Sequence, residues 1–182
     1  MKHFLLIVLI TWTVSAAIGQ NRYYSEKSTV TFFSDGVIED IRATNNTATS
    51  ILDISKMDVA FLVRVKDFQF EKKLMQVHFN EKYMETEKFP KSTFIGSITG
   101  FDPARSGEQH VTATGKLSIH GVTKDVKIPG TIEMQGSNIV LRSKFSIKLA
   151  DYNIVVPQII WNNVAEDVEV EMNFTYKSTN TL

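Results

Sequence analysis

The segment from Asp167 to Tyr176 reads DVEVEMNFTY. Val168, Val170, Met172, Phe174 and Tyr176 alternate there with Asp167, Glu169, Glu171, Asn173 and Thr175. A β-strand turns successive side chains to opposite faces, so this order makes one apolar face and one polar face. A helix, with its 3.6-residue period, would scatter both sets around its axis. The pattern recurs along the chain. In DVAFLVRVK, Val59, Phe61, Val63 and Val65 oppose Asp58, Arg64 and Lys66, with Ala60 and Leu62. In HVTATGKLSIH, Val111, Ala113, Gly115, Leu117 and Ile119 fall together. In NIVLRSKFSIKL, Ile139, Leu141, Phe145, Ile147 and Leu149 oppose Arg142, Lys144 and Lys148. Thr29–Phe33, Thr49–Asp53, Ser92–Phe101 and Val122–Met134 are shorter candidates.

Strands with one apolar face suit an antiparallel sheet that is wet on one side, whereas buried parallel strands are apolar on both. Long strands joined by short connections predict an all-β meander that curls into a barrel, although a sandwich satisfies the same alternation. Seven or eight strands are expected. One segment differs. FEKKLMQVHFNEKYMETEKFP lacks alternation, and Phe70, Leu74, Met75 and Phe79 recur at spacings that fit an amphipathic helix. Pro90 ends it. The expectation is a short helical insertion lying over the barrel or capping one end.

The remaining features exclude more than they assign. Formal net charge is zero, which removes the basic surface that nucleic-acid binding requires. The opening MKHFLLIVLITWTVSAAIGQ has Lys2, an apolar run from Phe4 to Ile10, and Ala17 and Gly19 at small-residue positions. That is a secretory signal pattern, and it is shorter than the roughly 20 apolar residues of a stable membrane span. Residues 1–19 are read as a signal peptide and 20–182 as one domain of a periplasmic or secreted protein. There are no cysteines, so neither disulfides nor thiolate chemistry are available. His78, His110 and His120 do not make a metal site. The last two lie ten residues apart on one expected strand, roughly 30 Å at about 3.3 Å per residue. No G-x-S-x-G elbow is present, and Asp167, Glu169 and Glu171 read as a solvated outer face. The chain is expected not to be an enzyme and to need no cofactor. The sequence does not set its oligomeric state.

GKLSIHGVTKDVKIPG, from Gly115 to Gly130, reads first as a hairpin. Gly121 supplies a residue free to take positive φ. Pro129 cannot donate to a ladder, so it belongs at an edge or a bulge, and Gly130 marks a bend. The same residues resemble the G-x-L-T-I-x-G-V-T-K hallmark of the YceI-like family. FPKSTFIGSI at Phe89–Ile98 resembles that family's Y-P-x-x-x-F segment, and HFNEKYMETEKFP resembles the run leading into it. The resemblance implies an eight-stranded antiparallel, lipocalin-like barrel with a helical element. It also implies periplasmic secretion and, in some members, a polyisoprenoid chain held inside. Many relatives carry Arg-Asp where this chain has Met75 and Gln76, so no polar role passes to those positions.

The inward row then becomes the candidate ligand site: Phe61, Val63, Val111, Ala113, Leu117, Phe145, Ile147, Val170, Met172 and Phe174. Small barrels are also packed solid by such rows, and a packed interaction or stress-response barrel is the alternative. Ala113, Gly115, Gly96 and Gly100 favour a hollow interior, because small residues interrupt the apolar faces. No tryptophan fills a strand interior, since Trp161 lies in PQIIWNN. The function expected is sequestration of a long apolar or amphipathic molecule, polyisoprenoid or related lipid. Export is expected to cleave the chain before Gln20. N-terminal sequencing of the exported protein checks this, and a membrane-bound chain still beginning at Met1 would refute it.

Overall fold

A computed structural model describes residues 22–35, 40–155 and 165–178. The segments read above as the signal peptide and as PQIIWNN lie outside the described residues. The elements are β1 (Arg22–Ser34), β2 (Ile41–Asn45), β3 (Thr49–Asp53), β4 (Asp58–Arg64) and β5 (Gln69–Phe70). Helix α1 (Lys73–His78) and a π-helical turn (Phe79–Tyr83) follow. Then come β6 (Lys91–Thr99), β7 (Glu108–Ile119), β8 (Val122–Gln135), β9 (Asn138–Lys148) and β10 (Asp167–Ser178). A 3-10 turn at Leu149–Tyr152 leaves β9.

The strands pair antiparallel in the order β10-β9-β8-β7-β6-β4-β3-β1, and β1 pairs back to β10. This is a closed eight-stranded antiparallel barrel. β2 and β3 share one edge of β1: β3 pairs with Arg22–Tyr24 and β2 with Val30–Ser34. Asn45 pins the bend between them. Its side chain is fully buried, donates to the Arg64 carbonyl at 2.8 Å and accepts from the Thr47 amide at 2.8 Å.

Alternation places the expected faces inward. Val59, Val65, Val111, Ile119, Ile139, Leu141, Val168, Val170, Phe174 and Tyr176 are all buried. The barrel's two ends differ from its middle. At the end bearing Tyr23, Asp53, Asn138 and Ser178, Leu52, Ile132, Ile139, Phe174 and Tyr176 have no exposure. This upper plug also holds a polar chain. The Ser50 hydroxyl donates to the Ala60 carbonyl at 2.9 Å, so it must accept from the Tyr176 hydroxyl 2.6 Å away. Burial pushes the Tyr176 phenol far above its ordinary range, and the Ser50 hydrogen bond offsets this only in part.

The helical insertion is shorter than its spacing predicts. Phe70 is in β5, ahead of the helix, and Leu74 is 63% exposed. Met75, one turn before Phe79, carries the inward face instead, continued by Met84. These side chains belong to the lower end of the barrel. A second apolar cluster closes that end with Val65, Met84, Ile119, Tyr152 and Ile154.

The hairpin between β7 and β8 takes positive φ at His120 (49°) and at Gly121 (76°). His120 is a buried tie as well as a turn residue. Its Nδ1 lies 3.1 Å from the Tyr152 carbonyl and its Nε2 3.1 Å from Glu85 Oε2. Phe89 packs edge-on against its ring. A Cβ at Gly121 would meet Phe89 Cε1 at 2.5 Å. Gly121→Val therefore combines a forbidden φ with a ring clash, and should cost more than about 1 kcal/mol. Urea denaturation checks this; an unchanged midpoint would contradict it.

Candidate functional site

Between the two plugs the inward rows do not meet. They leave a cavity of about 220 Å³ open to the centres of water-sized molecules. Its wall runs along β9 from Leu141 to Ile147, which is roughly 20 Å at about 3.3 Å per residue. None of the described wall residues is charged. Phe32, Phe68, Phe70 and Phe79 make one aromatic cluster of the wall. Their ring centroids lie 4.9 to 5.8 Å apart, the range of favourable ring contacts.

Nine of the ten expected site residues stand in this wall: Phe61, Val63, Val111, Ala113, Leu117, Phe145, Ile147, Val170 and Met172. Phe174 does not. It lies in the upper plug, edge-on to Phe61 at 5.0 Å and stacked on Tyr176 at 6.1 Å. Alternation places its side chain inward correctly but carries no information about depth along the barrel axis.

The small residues need a similar correction. Ala113 lines the cavity, but Gly96, Gly100 and Gly115 do not. Gly96 and Gly115 face each other across β6 and β7. A Cβ on either would run into backbone of the opposite strand, and the Phe94 ring covers Gly96. These glycines allow close strand approach; they do not open space. Gly130, read above only as a bend, is the glycine in the wall. Met75, Phe79 and Phe32 are wall residues that alternation alone misses. Two come from the helical insertion, and Phe32 lies in TFF, where apolar residues stand side by side.

One stretch of wall is not sealed by a ladder. β8 and β9 pair only from Gly130–Ser143 to Gln135–Asn138. Below that point Val122–Pro129 pair with β7 alone, and Lys144–Lys148 with β10 alone. Pro129, with no N–H to give, stands where the ladder stops. The Ser143 hydroxyl bridges the head of the gap by donating to the Pro129 carbonyl at 2.6 Å. At the foot, Lys124 Nζ meets Asp151 Oδ1 at 2.8 Å. Inward side chains beside the gap, Ile128 and Phe145, are partly exposed, whereas Ile132 and Leu141 above it are buried.

The fold is a closed antiparallel barrel around an apolar cavity with no charged residue among the described residues of its wall. The chain belongs to the YceI-like family, whose domain matches residues 22–176. Solved structures show the same fold. BcnA of Burkholderia cenocepacia is 20% identical, with a TM-score of 0.68, over 81% of this chain and 95% of that one. A polyisoprenoid-binding domain from Saccharophagus degradans, implicated in plant cell wall breakdown, is 14% identical with a TM-score of 0.74, over 86% and 98%. The YceI protein of Campylobacter jejuni is 14% identical with a TM-score of 0.57, over 96% and 97%. No curated protein sequence matches the chain.

Proposed function

We propose that this protein is a secreted carrier that holds a long apolar chain, a polyisoprenoid or comparable lipid, inside its barrel. It works by sequestration and not by turnover. The observation that carries this reading is the cavity: long, free of charged wall residues and bounded by apolar side chains at both ends. Family membership and the polyisoprenoid-binding neighbour support it. The signal pattern of residues 1–19 supports action outside the cytoplasm.

The energetics are adequate. A long isoprenoid chain that loses several hundred Å² of apolar surface to the cavity gains roughly 10 kcal/mol, at about 25 cal/mol per Å². Association and chain ordering take back a large part. What remains favours retention, and it grows with the length of apolar chain that is buried. The packed interaction barrel would need the inward rows to fill the interior, and between the plugs they do not.

Ala113 and Thr114 are neighbours in β7 that face opposite ways. Ala113 lines the cavity and Thr114 is exposed outside. Ala113→Glu would bury a carboxylate beside the lipid chain, at a cost of several kcal/mol, and should abolish lipid retention. Thr114→Glu should not. Organic extraction of the purified, folded proteins followed by mass spectrometry checks both. Lipid carried equally by Ala113→Glu and wild type would exclude the cavity as its seat.

A further inference from the structure

A ligand of this kind has a polar end, and the cavity wall is almost wholly apolar, with no charged residue among the described residues that line it. The polar groups of the upper plug, Ser50 and Tyr176, are already bonded to each other and to the Ala60 carbonyl, the lower cluster is apolar, and a polar group left unpaired between them is heavily penalised. The gap between β8 and β9 is different. Its two facing strands lack ladder partners on that side over Val122–Pro129 and Lys144–Lys148. Alternate backbone N–H and C=O groups there are free of sheet bonds to the opposite strand and can pair with a ligand or with water.

Immediately outside the head of the gap is a polar groove. His110, Thr131, Arg142, Lys144, Glu171 and Asn173 belong to it. Groove and cavity share four wall residues: Pro129, Gly130, Ser143 and Met172. The wall is thinnest at these positions, because Gly130 has no side chain and Ser143 a short one.

The charges of the groove decide which polar group it suits. Arg142 is held by Glu108 at 3.3 Å and by Glu133 at 3.9 Å. Lys144 is held by Glu169 at 2.6 Å and Glu171 at 3.0 Å, and those two carboxylates raise its pKa. Four carboxylates thus surround two cations. The two cations keep further N–H donors, but the carboxylates beside them outnumber them, so an anion brought to either meets net negative charge nearby.

We propose that the polar end of the bound lipid leaves the cavity through the gap between β8 and β9 and rests in the groove outside, and that this end is an uncharged hydrogen-bonding group, not a phosphate. The proposal rests on reading the barrel as a lipid carrier. Hydroxyl, amide and carbonyl heads all meet the condition, with Asn173, Thr131 and the free backbone groups of the gap as partners.

The test loads the wild-type protein with a long-chain polyprenol that carries a diazirine beside its hydroxyl. After irradiation and proteolysis, mass spectrometry maps the adducts. They are expected on residues 128–131, 142–144 and 171–173. Adducts on Tyr83, Met84 or Ile154 at the lower end, or on Leu52 or Tyr176 in the upper plug, would overturn the proposed exit. Competition with the matching polyprenyl phosphate tests the head group. The phosphate should bind at least about tenfold more weakly than the alcohol; equal or tighter binding would overturn the uncharged head. Failure of both lipids to be taken up would overturn the carrier reading itself, whereas uptake with adducts at the wrong end overturns only the exit.

Discussion

The ladder between the first strand and the last holds this structure together. Tyr23–Phe33 of β1 pair with Ser178–Glu169 of β10. Without that pairing the sheet would end in two long edges, each a row of unpaired backbone groups open to other chains. With it, each of the eight strands of the closed ring has a neighbour on both sides for at least part of its length. The bulge between Ser25 and Lys27 is part of the same device. A bulge bends a strand and increases its twist, and β1 must curve to serve β10 along one edge and both β3 and β2 along the other.

Closure brings eight inward rows towards one axis, and the side chains along each row decide whether the space fills. At the upper end they fill it with Leu52, Ile132, Ile139, Phe174 and Tyr176. Between the plugs Val63, Ala113 and Leu117 do not reach across. An apolar void of about 220 Å³ costs roughly 5 kcal/mol at about 24 cal/mol per Å³, relative to a filled core. That is comparable to the entire stability of many small domains. A chain under no demand for the space would shed that cost through a few larger side chains. An apolar chain in that space would supply contacts that the wall side chains do not make with one another.

Much of this is legible in the sequence where alternation is clean. In β7 and β10 the inward set follows from period two alone, because the outward set is polar; in β4 Ala60 and Leu62, and in β9 Val140, weaken the contrast without reversing it. β1 is less legible. Its bulge shifts the register between Ser25 and Lys27, and the TVTFF run is half-buried on both faces, with Thr31 bonded to Thr44 at 3.2 Å. The helical insertion misleads for a different reason. Phe70 and Leu74 are four apart, but a strand ends and a turn intervenes between them, so they share no helix face. Phe174 shows the limit of the method. Strand parity states which side of the sheet a residue is on, while its height along the barrel depends on the pairing register, which no single strand encodes. The gap has the same origin. Pro129 marks an interruption in the sequence, yet only the pairing of β8 with β9 shows that everything below it is unsealed.

That gap follows from the closure rule. A barrel hides its edges by pairing each backbone group with a neighbour, and Pro129 withdraws one donor at the position where Gly130 has just let the strands approach closely. A Cβ on Gly130 would lie 2.7 Å from the Arg142 carbonyl oxygen. Tight contact above and no ladder below make the two strands splay as a wedge, and Lys124 with Asp151 spans its foot. Backbone groups along a wedge must find water or another polar partner, while the cavity behind them is dry. The change from polar to apolar surroundings therefore occurs across the thickness of a single sheet. A molecule with a small polar end and a long apolar tail is divided on the same length scale. A wall continuous on all eight strands would accept the tail and leave its polar end without a partner.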